Sequence, residues 1–320
     1  MCDIGTLANV FEKENNFLIS AHVNPDGDAI GSQLALAIAL RKLGKTVALA
    51  NAHPVPNIYH FLPQWDTIKI KPEHLIPSDV FVAIECPTLD RLGYMNEHTK
   101  MSKIIVNIDH HLSNARFGKY NYVKTSAAAV GEQIYDILRF MRFKFTLDIA
   151  ICIYTSILTD TGSFTYANTT HTTHRIASEL IKLGANPTEI SQYIYENNSL
   201  SKLHLLALTL QTLQICSDGK IAWATLTKEM YEKTKTHFDE TDGFINYVRS
   251  LAGIKVAILF REEHDKIKVS FRSKDRTIDV NKIASKFGGG GHYQAAGCTI
   301  IGKINDVKNN ILAEVARNLS

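Results

Sequence analysis

Cysteine is scarce in this chain. Cys2, Cys86, Cys152, Cys216 and Cys298 are scattered, odd in number and never spaced as C-x-x-C. That usage excludes a disulfide framework and a zinc ribbon, and it fits a reducing compartment. No apolar run approaches the roughly 18 residues that a membrane span needs. The opening stretch, MCDIGTLANVFEKENN, lacks the basic and apolar segments of a secretory leader. A cytoplasmic protein with no membrane partner is expected. Charge of one sign is also lacking, with a net +3 over 320 residues. An extended, charge-driven grip on long duplex DNA is therefore not expected. A local basic patch meeting a small anionic substrate fits better. Internal repeats and low-complexity tracts are absent. What is left is the composition of an ordinary soluble protein, 45% hydrophobic and 21% charged, with a length that allows about two domains.

The order of apolar and helical patterns divides the chain. FLISA (17–21), TVALA (46–50), VFVAIE (80–85) and IIVNI (104–108) are continuous apolar runs without polar alternation. Such runs suit strands buried on both faces of a parallel sheet. Helical patterns lie between and after them, at 29–43, 127–141, 147–158 and 172–183, the first and last stopped by Gly44 and Gly184. Strand alternating with helix indicates an α/β domain over 1–185. Residues 186–204 read as a helical connector with a polar break at Glu196–Ser199. From 205 to 320 the strands crowd together, near 221–226, 254–260 and 266–272, with helices near 243–250, 279–286 and 305–317. This reads as a smaller α+β domain, with an active site expected in the cleft between the two.

The strand ends carry the chemistry. FLISA leads into HVNPDGD with His22, Asp26 and Asp28; VFVAI ends in Glu85; IIVNI leads into Asp109, His110 and His111. The helical run 147–158 ends in TDTGSF with Asp160. In open α/β sheets, ligands bind at the carboxyl ends of strands. Each feature has a bland reading: NPDG makes a good turn, Asp28 can cap a helix, and a histidine pair is often a surface accident. Together they are harder to dismiss, because charges at the ends of buried strands are costly unless neutralised. Asp26, Asp28, Glu85 and Asp160 carry four negative charges, which two divalent cations balance. Mixed imidazole and carboxylate ligands favour manganese, with iron, zinc and cobalt as rivals. Two metals roughly 3.5–4 Å apart form the usual clamp for phosphoryl transfer.

HVNPDGDAIGS, the DHH triplet at 109–111 with its tail HLSNARFG, ILTDTGSF, and FRSK (271–274) followed by FGGGGHYQAAG (287–297) together resemble the DHH phosphoesterase superfamily with its DHH-associated C-terminal domain. The likeness spans nearly the whole chain, with the motifs in order. The length and the close coupling of two domains resemble the nanoRNase / pAp-phosphatase branch. The resemblance implies a hydrolase of short oligonucleotides to 5′-mononucleotides, and of pAp to AMP and phosphate. It implies that His22 and Asp26 hold one metal, that Asp28, His110 and Asp160 hold the other, and that Glu85 bridges them. His111 would face the scissile phosphate and Asp109 would orient the histidine pair, as ligating histidines usually require. One position departs from the family pattern. The bridge is normally aspartate in a VALDT-like stretch, and here it is VAIEC.

The glycine run has two readings. Four glycines are a flexible linker by default. Between a helix-like and a strand-like segment they also permit close backbone approach, and their N–H groups can cradle phosphate oxygens. With FRSK upstream, Arg272, Ser273, Gly289, Gly290, Gly291 and His292 are read as substrate-binding residues, the guanidinium being matched to phosphate. Phe271 and Tyr293 are candidates for stacking on a base, with core packing as the plainer role for both. Alternatives of other classes stand beside this reading: a phosphodiesterase for the linear dinucleotides of cyclic-dinucleotide turnover, a pyrophosphate hydrolase, or a nucleotide-binding regulatory protein whose site Glu85 impairs. Oligomeric state is left open, and a homodimer is compatible with the sequence.

Overall fold

The computed structural model describes residues 2–74 and 76–319, and the chain divides into two compact units between Asn197 and Asn198. In the first unit the elements run α1 (Ile4–Lys13), β1 (Asn16–Ala21), α2 (Gly27–Lys42), β2 (Thr46–Asn51), β3 (Ile68–Ile70), β4 (Ser78–Ile84), β5 (Ser102–Asp109), β6 (Tyr120–Val123), α3 (Val130–Phe140), α4 (Leu147–Asp160), α5 (His171–Lys182) and α6 (Pro187–Tyr195). The six strands form one sheet in the order β3-β2-β1-β4-β5-β6, and every neighbouring pair is parallel. The order places β1 and β4 side by side at the centre, each followed by a site residue.

Both faces of this sheet are covered, which is why its strands read as unbroken apolar runs. Phe17 and Ile19 of β1 join the core built with α2, α3 and α4, and Leu18 joins Phe81, Ala83, Leu92 and Met95 on the opposite face. The alternation follows from successive side chains of a strand pointing to opposite faces. Helix α2 is buried from Gly27 to Leu40, so its sequence GDAIGSQLALAIAL has no polar stripe.

The second unit contains α7 (Leu200–Gln211), β7 (Gln214–Ile215), β8 (Ile221–Leu226), α8 (Lys228–Thr234), α9 (Phe244–Ser250), β9 (Val256–Glu263), β10 (Lys266–Ser273), α10 (Val280–Ser285), β11 (Gly290–His292), β12 (Ala295–Ile301) and α11 (Ile304–Arg317). Its sheet runs β11-β12-β10-β9-β8-β7. The pairing is antiparallel except between β8 and β9. Val256, Ile258 and Phe260 face a core shared with Ile283, Ile311 and Val315. Ala257 and Leu259 face one shared with Leu205, Tyr231, Phe244 and Val248. Strand β9 begins and ends later than the apolar pattern, because it runs on through Arg261–Glu263 into the hairpin where Glu263 opposes Lys266. The glycine run is ordered rather than a linker: Gly290 opposes Gly297 and His292 opposes Ala295. Among the described residues, no helix is long and apolar enough to cross a membrane.

Candidate metal centre

Five elements of the first unit deliver charged side chains to one place. β1 leads into His22, the start of α2 supplies Asp26 and Asp28, β4 leads into Glu85, β5 ends in Asp109 and leads into His110 and His111, and α4 ends in Asp160. His22, Asp26 and Glu85 form one group and Asp28, His110 and Asp160 another; within each, one ligand atom per residue lies within 4.8 Å of the others.

The two histidines of these groups are held alike. His22 Nδ1 lies 2.8 Å from the Val23 carbonyl, and His110 Nδ1 lies 3.2 Å from the Ala127 carbonyl. A carbonyl accepts, so the Ala127 contact assigns the His110 ring proton to Nδ1 and leaves its Nε2 lone pair facing the carboxylates, whereas at His22 the Arg91 guanidinium, a donor, shares the same nitrogen with the Val23 carbonyl. His22 Nε2 is 3.6 Å from Glu85 Oε2 and 4.0 Å from Asp26 Oδ1. His110 Nε2 is 3.8 Å from both Asp28 Oδ2 and Asp160 Oδ2. These separations are too long for hydrogen bonds and short enough to share a cation. A backbone carbonyl on the far ring nitrogen is the usual way to orient a ligating imidazole.

The carboxylates differ in support. Asp26 caps α2, its Oδ1 accepting from Asp28 N at 3.0 Å and Ala29 N at 3.1 Å. It therefore fills the helix-capping role and stands in the cluster as well. Asp28 is fully buried; its Oδ1 accepts from Ser156 Oγ at 2.6 Å and Ser32 Oγ at 3.0 Å, and its Oδ2 from Val130 N at 2.8 Å. Burial raises its pKa, with Asp26 adding to that, while His110, Ser156 and Val130 oppose it. Glu85 is the exposed flank of nothing: at 3% exposure, its Oε2 finds no hydrogen-bond donor among the described residues. Burial pushes its carboxyl well above the usual range, and the charges of Asp26, Asp28, Asp160 and Asp109 push it further. It sits one residue beyond β4 with φ +56°, a left-handed conformation uncommon for a residue with a side chain. Strain of this kind is typical of functional positions. A buried acid without a donor, among four other acids, fits cation binding by its donor set.

Asp109 and His111 form a separate pair. His111 Nδ1 donates to Asp109 Oδ1 at 2.8 Å, and His110 N donates to the same oxygen at 2.8 Å. Asn114 Nδ2 donates to Asp109 Oδ2 at 2.5 Å. Burial alone would raise Asp109, but His111 and Asn114 outweigh it and hold the carboxylate below its ordinary value. His110 shows the reverse balance. Burial would lower its pKa, and the charges of Asp160, Asp28 and Asp109 raise it. His22 is lowered by burial, with Arg91 adding to that, despite the pull of Asp26.

Several supporting residues escaped the sequence reading. Asn114 lies in the HLSNARFG tail, Gln133 Nε2 donates to the Asp109 carbonyl at 2.9 Å, and Asn168 Nδ2 donates to the Asp160 carbonyl at 3.1 Å. Arg91 Nη2 stands 3.2 Å from His22 Nδ1.

The second-unit residues singled out from sequence are placed as follows. Arg272 is half-buried, and its Nη1 donates to the Phe271 carbonyl at 3.0 Å. Ser273 is 1% exposed, its hydroxyl donating to the Asp275 carbonyl at 2.8 Å and accepting from Asp275 N at 3.1 Å. Gly290, Gly291 and His292 form β11, with Gly289 just before it. A methyl at Gly289 would stand 2.5 Å from the Cys298 Cβ, and one at Gly291, where φ is +148°, 2.5 Å from the Ala295 carbonyl. Both glycines are thus required by the close approach of β12. Phe271 is fully buried in the core and cannot stack on a base, whereas Tyr293 is exposed.

Comparison with known proteins adds to this geometry. A model described as the DHH family, N-terminal domain, matches residues 16–157, and a DHHA1 domain model matches 218–320. The chain is 33% identical over 308 residues to the bifunctional oligoribonuclease and PAP phosphatase NrnA of Thermus thermophilus, covering 96% of this chain and 91% of that one. It is 30% identical over 305 residues to the Bacillus subtilis protein of the same name, covering 94% of each. Among solved structures, an exopolyphosphatase-related protein from Bacteroides fragilis superposes with a TM-score of 0.92 at 27% identity, covering 98% of this chain and 95% of that one.

Proposed function

The chain belongs to the DHH family, a DHH N-terminal domain followed by a DHHA1 domain, and on that premise we propose that it hydrolyses short oligoribonucleotides to 5′-mononucleotides and pAp to AMP and phosphate. It is a hydrolase of phosphoester bonds. Both relatives named above are bifunctional oligoribonucleases and PAP phosphatases, at 33% and 30% identity over nearly the full chain. The single observation that carries the reading is the convergence of two histidine–carboxylate groups around Glu85, an acid buried without a donor.

In this reading His22 and Asp26 would hold one divalent cation, Asp28, His110 and Asp160 would hold a second, and Glu85 would be shared by both, with Mn²⁺ favoured by the mixed ligand set. When bound, such ions supply positive charge to the phosphoryl oxygens and acidify a water molecule. The protein's own groups do the rest. The Ala127 carbonyl keeps His110 in the tautomer that presents Nε2, and the Val23 carbonyl and Arg91 orient the ring of His22. Asp109, fixed by Asn114, fixes His111 through Nδ1, so that in the imidazolium form, which the Asp109 carboxylate supports, its Nε2 is offered to the scissile phosphate as a hydrogen-bond donor or as the acid for the leaving 3′-oxygen. Arg272 and His292 are proposed to grip a terminal phosphate, and Ser273, occupied within its own turn, to set the backbone beside Arg272. Tyr293 is the remaining candidate for base stacking.

The test is metal withdrawal and return. Protein stripped with a chelator is expected to release no phosphate from pAp, and added Mn²⁺ to restore release. Turnover of pAp undiminished after exhaustive chelation would contradict the reading.

A further inference from the structure

The five residues Ala127–Gly131 carry no polar side chain, yet their backbone contacts Asp28 and His110 directly and Asp160 through the side chain of Asn168. The Ala127 carbonyl meets His110 Nδ1 at 3.2 Å. The Ala128 carbonyl accepts from Asn168 Nδ2 at 2.9 Å, and the same amide group reaches the Asp160 carbonyl at 3.1 Å and Oδ2 at 3.5 Å. Val130 N and Gly131 N donate to Asp28 at 2.8 and 3.2 Å. The three side chains come from α2, from the end of β5 and from α4, so this short segment is their common reference.

One side chain ties the segment down. Glu132, in the first turn of α3, accepts from Ala128 N through Oε2 at 3.1 Å, so the carboxylate fixes the peptide plane between Ala127 and Ala128. That peptide plane also contains the Ala127 carbonyl that faces His110. Glu132 is 2% exposed, and an acid buried that deeply is costly where a small apolar residue would pack. A cap for α3 does not need it, because Asp28 already accepts from the Val130 and Gly131 amides there.

We propose that Glu132 is a positioning residue for the Asp28, His110 and Asp160 site: by holding Ala128 N it orients the Ala127 carbonyl on His110 and the Ala128 carbonyl on Asn168, and so sets both the His110 tautomer and the aim of Asp160. One arm of its test rests on the metal reading above, and the other does not.

The variants are Glu132→Ala, which removes the acceptor, and Glu132→Gln, which keeps one of the same length. In metal-free protein labelled with ¹⁵N-histidine, at a pH above the titration of His110 so that its ring is neutral, long-range spectra report the His110 tautomer, the resonance being identified by its loss in His110→Gln. Wild type and Glu132→Gln are expected to show the Nδ1–H form and Glu132→Ala a mixture. In Mn²⁺ titrations, Glu132→Ala is expected to lose about 10–100-fold in affinity at one of two ions, as removal of an orienting partner typically does, with Glu132→Gln close to wild type. A wild-type tautomer and wild-type affinities in Glu132→Ala would overturn the proposal. So would loss of both ions together with the thermal transition, which would mark a global structural role. A wild-type protein that bound no Mn²⁺ would sink the metal reading while the tautomer comparison still decided this one.

Discussion

Asp160→Asn is expected to lower turnover of pAp and of a short oligoribonucleotide by about a thousand-fold or more, equivalent to several kcal/mol of lost transition-state stabilisation. The substitution changes charge and not volume. Asp160 ends α4, and its Oδ2 faces His110 Nε2 at 3.8 Å. An amide there offers one weak donor oxygen in place of a carboxylate. The fold should not suffer, because a negative charge at a helix C-terminus opposes the helix dipole and its removal helps slightly. The expected outcome is therefore a split: catalysis nearly abolished, with the unfolding midpoint unchanged or slightly raised. Steady-state rates beside a thermal melt of the same preparation check it. Activity within tenfold of wild type would remove Asp160 from the metal centre.

Glu85 gives the second large effect, and its sign depends on metal. In metal-free protein its carboxyl is raised well above the ordinary range, by burial first and then by four neighbouring acids. The folded state therefore holds a proton that the unfolded chain releases near the usual glutamate value of about 4.3. Folded-state retention of a proton makes stability fall as pH rises. The contribution is fully present below the unfolded pKa and is lost as pH climbs through the raised one. Metal-free wild type is thus expected to melt lower at pH 8 than at pH 5.5, and Mn²⁺ to raise the pH 8 midpoint by binding only the folded form. Glu85→Gln removes the charge that must otherwise be buried. Its metal-free midpoint at pH 8 should rise by a few degrees, its pH dependence should flatten, and its activity should vanish. A lower midpoint than wild type at pH 8 would refute this account of Glu85. Glu85→Asp serves the rival idea of an impaired regulatory protein, since only there should the shorter acid raise turnover sharply.

Much of this was legible before the structure. FLISA, TVALA, VFVAI and IIVNI announce themselves because strands covered on both faces need no polar residues. The candidate ligands stood out for the opposite reason, as acids and histidines where a buried strand should simply end. Short or mixed elements left no such mark. β3 has three residues, β6 is YNYV at the sheet edge, and the 3₁₀ stretch Leu89–Met101 is largely polar. Helix α1 buries Leu7, Val10 and Phe11, a helical spacing readable in principle but set among polar residues. The supporting shell was hidden more deeply. Ser156 stands 128 positions from the Asp28 it donates to, and single neutral residues such as Asn114, Gln133 and Asn168 occur throughout any chain. Their role exists only once the fold brings them together. The glycine run was legible as special but not as a strand, because glycine has no propensity for one. It is the close approach of β12 that pairs it.

The most direct test of the central claim is hydrolysis by Mn²⁺-loaded protein of four substrates in parallel: a 5′-phosphorylated RNA dinucleotide, pAp, a 24-mer single strand and pyrophosphate, with Asp28→Ala as control. The account predicts fast turnover of the dinucleotide and pAp, slow or no turnover of the other two, and loss of both activities in Asp28→Ala. Preferred hydrolysis of pyrophosphate or of the 24-mer, or an Asp28→Ala protein as active as wild type, would contradict it.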